Sequence, residues 1–318
     1  MLNRRILRIK AFKELFSYSG NRSMSLKDAL AEFERSCESV RDLYLFVLNG
    51  IPALTAEASR RIEASRAKFS ASEEERNPNL KFVENGLSRL LLEDPDFQKQ
   101  LERKPLAWDN YDALLRKLYE RLTEQPWYAE YMNNPERSLV QDAALFCHIF
   151  EELLQDDPDL EKIIEDLSIY WVDDLDYALG VACQLLPEVA KKGRWELPPL
   201  YRSEMLAAEG KAVDSDREFA RKLLQGAFAG YADYDDRVSA ATRGWDRDRI
   251  CAADRVLIIL GLAEVEHIPQ VPARVSVNEW VEIAKFYSTP RSASFVNGVL
   301  DKTVSALIEE KGLPKSLK

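Results

Sequence analysis

Three arginines near the start of the chain have the chemistry of a binding site: Arg4, Arg5 and Arg8. Because an α-helix has 3.6 residues per turn, these spacings place the three side chains within one arc of about 100°. Three guanidinium groups on one rigid face suit phosphate groups. Residues 1–13 carry five basic side chains and no acidic one. The segment therefore predicts a helix that binds a nucleic-acid backbone, with an ordinary solvated basic face as the alternative.

Enzymatic motifs are weak in this sequence. His148 follows Cys147, but adjacent side chains on a helix point about 100° apart and do not form a catalytic dyad. His267 ends a single Glu-x-x-His motif, whereas a di-iron bundle needs two. The glycine-rich loops of nucleotide-binding proteins and the serine motif of hydrolases are missing. We therefore expect no catalysis, no metal site and no cofactor.

Composition restricts the class of protein further. The 318 residues include 44 basic and 54 acidic side chains, a net charge of -10, and 46% are hydrophobic, which supports a folded core. Eleven acids and one lysine fall in residues 151–176, so a nucleic-acid surface is expected elsewhere. The N-terminus lacks the apolar core of a signal peptide, and no apolar run is long enough to span a membrane. The four widely spaced cysteines then suit reduced, buried thiols in a cytoplasmic protein.

Nearly every segment has helical periodicity, which predicts an all-α fold. The predicted helices span residues 4–18, 25–49, 51–69, 80–92, 111–122, 139–154, 160–170, 177–190, 216–231, 233–242, 249–265, 276–287 and 291–311. The segment KGRWELPPLY at 192–201 contains a glycine and two prolines, as expected of a domain boundary. Ser276 and Glu279 have the spacing of a capping box at a helix start.

Three motifs in the C-terminal third carry a resemblance to a known family. They are VP at 271–272, NEWVEIAK at 278–285 and FVNGVLDK at 295–302, and their spacing also fits. With the arginine-rich first helix, they closely resemble the NusB family of transcription antitermination factors. Further similarities lie at 216–226, 245–249 and 254–255. The resemblance covers about residues 2–40 and 215–310, and the stretch between them matches nothing in the family.

The resemblance implies an all-α, NusB-like double three-helix bundle with an additional helical insertion. It places the arginine-rich helix and the second helix of the core in residues 1–40, the insertion in 41–214 and the C-terminal core in 215–318. It also implies a protein without catalytic activity that binds single-stranded boxA-type RNA together with NusE, a ribosomal protein of the small subunit. Within the RNA polymerase antitermination complex, the two promote read-through of terminators, chiefly in ribosomal RNA synthesis.

Individual residues are assigned to the RNA surface by the same resemblance. Arg4, Arg5 and Arg8 are expected to contact phosphates, and Arg291 and Phe295 lie near the start of the last helix. Arg291 stands where the family often has an acid, which makes this edge more attractive to RNA. Phe295 either stacks on a base or belongs to the core, and the sequence leaves both open.

Two positions match the family's NusE interface. They are Phe16, where the family often has tyrosine, and Glu264, whose carboxylate is expected to point to solvent or to a partner. Gly298 lies in the middle of the last predicted helix, where glycine costs about 1 kcal/mol relative to alanine. Close helix packing or a nearby ligand would account for it.

Two alternative functions remain open at this stage. One is a helical protein-protein interaction scaffold that has lost RNA binding, which salt-dependent RNA binding would distinguish. The other is an RNA methyltransferase, since such enzymes carry a NusB-like domain at their N-terminus. The resemblance ends near residue 310 of 318, so the sequence as given is not expected to include a catalytic domain.

Overall fold

A computed structural model describes residues 1–104, 106–206, 211–242 and 250–317. In these ranges the chain forms fifteen α-helices, a π-helical turn and one β-hairpin, which confirms the predicted all-α class. The elements before residue 199 are α1 Arg4–Gly20, α2 Leu26–Arg66, α3 Glu73–Arg76, α4 Gly86–Glu93, α5 Pro95–Glu102, α6 Asp112–Thr123, α7 Pro126–Asn133, α8 Leu139–Ile149, the π-helical turn Phe150–Leu154, α9 Pro158–Leu167 and α10 Leu175–Lys192. The elements after it are β1 Ser203–Leu206, β2 Lys211–Asp214, α11 Ser215–Ala229, α12 Tyr231–Ala241, α13 Ala252–His267, α14 Ala273–Tyr287 and α15 Ser292–Lys311. The predicted similarity at 245–249 lies outside the described residues.

The chain divides into two compact units. The first comprises residues 1–37 and 199–318, and the second comprises residues 38–198. The insertion predicted at 41–214 overlaps the second unit, and the proline-rich segment 192–201 contains the C-terminal boundary of that unit. No helix in the described ranges has both the length and the apolar character needed to cross a membrane.

Helix α13 is the centre of the first unit. Its sequence from Val256 to Val265 is apolar on all sides except for Glu264, and every side chain in this stretch is buried. A helix without a polar face needs neighbours all around it. It packs against α1, α11, α12, α14 and α15. Gly261 permits a close approach of α15, because a Cβ there would lie 2.7 Å from a methyl group of Leu300 on that helix.

The second unit is built around α8 and α10, which pack against each other. Ser138 caps α8 by accepting a hydrogen bond from the N–H of Gln141, and Gly193 ends α10 in a left-handed conformation. The apolar side chains of α8 face those of α10 in the core. They include Ala143, Phe146, Ile149, Ala178, Leu179, Ala182 and Leu186.

Two local predictions were wrong, and the β-hairpin was not predicted. The two helices predicted over 25–49 and 51–69 are one helix of 41 residues that continues through Pro52. Helix α14 begins at Ala273, directly after Pro272, so Ser276 lies inside the helix and forms no capping box. The antiparallel hairpin of β1 and β2 pairs Ser203 with Asp214 and was not predicted, since its four-residue strands lack a clear alternating pattern.

Candidate nucleic-acid interface

The three arginines of α1 lie in different environments. The side chains of Arg4 and Arg5 are 40% and 52% exposed, whereas that of Arg8 is 4% exposed. The side chain of Asn3 accepts a hydrogen bond from the N–H of Ile6, so the helix begins directly before the arginines. The predicted basic helix is therefore present. The prediction that all three are surface residues is wrong for Arg8, because this side chain points into the first unit.

Arg8 forms a buried ion pair with Glu264 of α13. Its Nε and Nη2 atoms donate to the two carboxylate oxygens at 2.8 and 2.7 Å. The hydroxyl of Ser276 and the indole N–H of Trp280, both on α14, donate to the same two oxygens at 2.9 Å each. Four donors thus compensate the carboxylate for the loss of water. The cluster joins α1, α13 and α14.

The position of Glu264 contradicts its predicted role. Its side chain is 0% exposed, and its carboxylate is surrounded by donors from the same unit. The expectation that it points to solvent or to a partner is therefore wrong. The sequence could not show this, because the arginine that Glu264 pairs with lies 256 residues away in the chain.

The two outer arginines also have acidic partners. Arg5 donates from Nε and Nη2 to both oxygens of Glu279 on α14, at 3.0 and 2.9 Å. Arg4 donates from Nε to Asp216 on α11 at 3.0 Å. The hydrogen bond from Arg5, together with the charge of Arg8, holds the pKa of the Glu279 carboxyl below its usual range. These pairs fix the two guanidinium groups in place on the surface of α1.

Phe219 of α11 completes this arrangement. The guanidinium carbons of Arg4 and Arg8 lie 5.2 and 5.1 Å from the centre of its ring, within the range of cation–π attraction. Phe219 itself is buried. The ring therefore holds both arginine planes against α11.

Sequence reasoning missed the acceptors and supports of this cluster. Asp216 and Glu279 both lie within segments that the family resemblance marked, but the local pattern gave them no role in binding arginine. Ser276 was assigned to a capping box instead. The only available signal was the presence of acids in the same motifs that carry the resemblance.

Phe16 is the predicted partner-binding residue that remains on the surface. Its side chain is 43% exposed. Its ring lies 5.8 Å from that of Phe12, which in turn lies 5.5 Å from the ring of Tyr287 at the end of α14. The neighbouring Phe286 is also largely exposed. Exposed aromatic rings thus occur on α1 and at the C-terminal end of α14.

The remaining predicted RNA contacts lie at the start of α15. Arg291 is the N-cap residue and is exposed, and Phe295 in the first turn is half-buried. The exposed face of this helix continues through Ser294, Asn297 and Gly298. Helix α15 packs on α12, α13 and α14, whereas α1 packs on α11 and α13. Both predicted RNA elements therefore contact the central helix α13.

Packing among the described residues does not explain why position 298 is a glycine. An added Cβ would find no atom within 4 Å, so close packing against another helix does not explain the glycine. Of the two explanations that the sequence offered, only the approach of a ligand is consistent with this open space.

The arrangement of the potential metal-binding side chains gives no support for a metal site. Across residues 1–104, 106–206, 211–242 and 250–317, no three His, Cys, Asp or Glu side chains are grouped so that they could hold a metal ion.

Comparison with known proteins identifies the family. A sequence model described as the NusB family matches residues 178–305, which begin within α10 and end within α15. The "Transcription antitermination protein NusB" of Myxococcus xanthus is 35% identical over 102 residues, which are 32% of this chain and 73% of that protein. The chain belongs to the NusB family.

In two other relatives, the matched region covers a smaller share of the protein. The NusB of Salinibacter ruber is 38% identical over 102 residues, or 32% of this chain and 64% of that protein. The NusB of Symbiobacterium thermophilum is 35% identical over 100 residues, or 31% of this chain and 65% of that protein. The chain thus spans slightly less than two thirds of these two NusB proteins. No solved structure matches it.

Proposed function

We propose that this NusB-family protein is an RNA-binding transcription antitermination factor. It binds boxA-type RNA with NusE and promotes read-through by RNA polymerase, chiefly in ribosomal RNA synthesis, without catalysing a reaction. The name of the related proteins, "Transcription antitermination protein NusB", supports the general role. The proposal of RNA binding rests on one observation: ion pairs hold the exposed side chains of Arg4 and Arg5 in place on α1.

A fixed guanidinium group is well suited to phosphate binding. Arg4 and Arg5 are about half exposed, and their acidic partners come from α11 and α14. Each guanidinium has five N–H donors, of which the hydrogen bonds to Asp216 and Glu279 use one and two. Because the side chains are already ordered, contact with a phosphate costs little further rotamer entropy. Arg8 belongs to the support of this surface and is not proposed as a phosphate contact.

The exposed face of α15 supports a second RNA contact. Arg291 supplies a positive charge at its start, and the half-buried Phe295 in the first turn is the proposed stacking contact for a base. Gly298, one turn further, leaves open space for the close approach of a backbone. Base stacking on an aromatic ring is worth about 1–3 kcal/mol.

NusE is the proposed protein partner, and Phe16 is its proposed contact. The exposed ring of Phe16 and the exposed ring of Phe286 supply apolar surface of the kind that aromatic residues contribute to interfaces. Glu264 has no part in this proposal, because it is buried.

A protein scaffold without RNA binding is the second candidate. One observation favours it: the arginines of α1 are all paired with acids of the first unit, so phosphate has to compete with carboxylates. The net charge of -10 adds long-range repulsion. The salt dependence of RNA binding separates the two candidates.

The double variant Arg4→Ala/Arg5→Ala is expected to weaken binding of a fluorescent boxA RNA. The slope of log K against log salt is expected to fall by roughly 0.7 per lost phosphate contact, because fewer counterions are released. Anisotropy titrations at several potassium chloride concentrations measure this slope.

A matched control lies in the second unit. Arg60 and Arg137 are 53% and 56% exposed and are also ion-paired, with Asp112 and Glu84 among their partners. Arg60→Ala/Arg137→Ala removes the same charge and is expected to leave the slope nearly unchanged. Equal losses in both double variants would mean that only net charge matters, and the α1 surface would be rejected.

Gly298→Ala is expected to separate stability from binding. Because the added methyl group meets open space in mid-helix, the free energy of unfolding is expected to rise by about 0.5–1 kcal/mol. RNA affinity is expected to fall, because the methyl group occupies the path of the RNA backbone. Denaturant unfolding and RNA titration measure the two effects.

Gly180 provides the control for this substitution. It is an exposed glycine within α10, and an added Cβ there also meets no atom within 4 Å. Gly180→Ala is expected to stabilise the protein by a similar amount and to leave RNA affinity unchanged. If Gly298→Ala behaves in the same way, RNA does not approach α15 at this position.

A further inference from the structure

Two cysteines face each other across the core helices of the second unit. Cys147 lies on α8 and Cys183 on α10. The Sγ atom of Cys147 lies 3.7 Å from the carbonyl oxygen of Cys183, and the Sγ atom of Cys183 lies 4.0 Å from the carbonyl oxygen of Cys147. Reciprocal contacts of this kind require the two residues to lie directly opposite each other. Both side chains are in the reduced, unbridged form.

Both cysteines are partly exposed. Cys147 and Cys183 are half-buried, unlike Cys37, which is fully buried. The prediction of four buried thiols was therefore wrong for Cys147, Cys183 and Cys251, which are all half-buried. The π-helical turn Phe150–Leu154 follows the end of α8 and begins three residues after Cys147. Single π-helical turns often occur at functional sites.

The surroundings give the two sulfur atoms different chemistry. The neighbouring thiol of Cys183 lowers the pKa of Cys147. The proximity of Cys147, burial and the nearby carboxylate of Glu151 raise the pKa of Cys183. Because the thiolate is the reactive form, Cys147 is the better nucleophile and Cys183 is the better proton donor.

We propose that Cys147 and Cys183 are a redox modification site that forms a reversible disulfide on exposure to hydrogen peroxide. The Cys147 thiolate attacks one peroxide oxygen, the O–O bond breaks, and the departing hydroxide takes a proton to leave as water. The resulting sulfenic acid is attacked by the sulfur of Cys183, which loses its proton as the S–S bond forms, and a second water leaves. The two sulfur atoms are oxidised together by two electrons, and the peroxide is reduced.

The bond would join α8 to α10 and close a loop over residues 147–183. This loop contains the π-helical turn and α9. It also contains the exposed apolar side chains Ile169 and Val172. Cross-linking the ends of a loop restricts the unfolded chain, so the oxidised protein is expected to unfold at a higher temperature. The inference concerns the second unit alone and does not depend on RNA binding.

The test compares the reduced full-length protein before and after treatment with hydrogen peroxide. Of the four thiols that react under denaturing conditions, two are expected to disappear, and the mass is expected to fall by about 2 Da, the mass of the two hydrogens lost on S–S formation. Peptide mapping is expected to find Cys147 linked to Cys183 in the monomer. Dithiothreitol is expected to restore all four thiols, and the unfolding temperature of the oxidised form is expected to rise by several degrees.

Cysteine variants make the assignment specific. Cys37→Ser/Cys251→Ser keeps the pair and is expected to lose both remaining thiols in the same way. Cys147→Ser and Cys183→Ser each remove one member and are expected to form no intramolecular disulfide. Retention of four thiols, linkage through Cys37 or Cys251, a gain of oxygen without cross-linking, or a lower unfolding temperature after oxidation would each overturn the proposal.

Discussion

Arg8→Ala is expected to lower the free energy of unfolding by about 3–5 kcal/mol, because it leaves the carboxylate of Glu264 buried without its cation. Ser276 and Trp280 would still donate to that carboxylate, but two neutral donors do not replace a charge in a water-free site. Urea unfolding at neutral pH measures the loss. Glu264→Lys is expected to be at least as damaging, since it places two cations together in the same buried space.

Two further variants separate the charge from the packing. Arg8→Met/Glu264→Leu removes both charges and is expected to recover much of the stability, since a well-packed apolar pair often replaces a buried ion pair. Arg5→Ala breaks an exposed pair and is expected to cost no more than about 1 kcal/mol. If Arg8→Ala costs no more than Arg5→Ala, the buried pair does not hold α1 in place.

Glu14 is expected to make stability depend on pH. Its side chain is 7% exposed on α1. Burial raises its pKa from 4.5 to about 7; the acidic Glu32 also raises it, while the basic groups Lys10 and Arg35 act in the opposite direction. Between these two pH values the folded protein keeps a proton that the unfolded chain releases. The contribution of Glu14 to the free energy of unfolding is therefore fully present below pH 4.5 and is lost as the pH rises to about 7. This difference in pKa between the unfolded and folded states corresponds to roughly 3 kcal/mol of unfolding free energy.

Glu14→Gln provides the test of this pH dependence. Glutamine is neutral at all pH values, so the difference in unfolding free energy between the variant and the original protein is expected to change between pH 5 and pH 7.5. Urea unfolding at both values measures this change. Glu63→Gln on the exposed face of α2 is the control and is expected to follow the original protein in parallel. A parallel curve for Glu14→Gln would show that Glu14 titrates normally.

Local patterns were sufficient to predict most of the helices. The apolar stretch of α13 and the FVNGVLDK motif of α15 both appear as helices close to their predicted bounds. In α2 the prediction of separate helices over 25–49 and 51–69 failed, because one helix continues through Pro52. The two short strands were missed because segments of four residues give no clear alternating pattern.

The site was harder to predict than the fold because its contacts are distant in sequence. A cluster of arginines on one helix indicates positive charge, but the acids that neutralise it come from α11, α13 and α14. The sequence therefore gave the same role to Arg4, Arg5 and Arg8. In the folded protein Arg8 instead supports the helix that carries the other two. Glu264 was misplaced for the same reason, since its neighbours in the chain gave no indication of the buried arginine.

The central claim is tested most directly by titrating the full-length protein with a boxA RNA, with and without NusE. The account predicts salt-dependent binding that is tighter than binding to a scrambled RNA of equal length, and tighter again when NusE is present. Binding that is the same for both RNAs and unaffected by NusE would contradict the account and favour the protein scaffold.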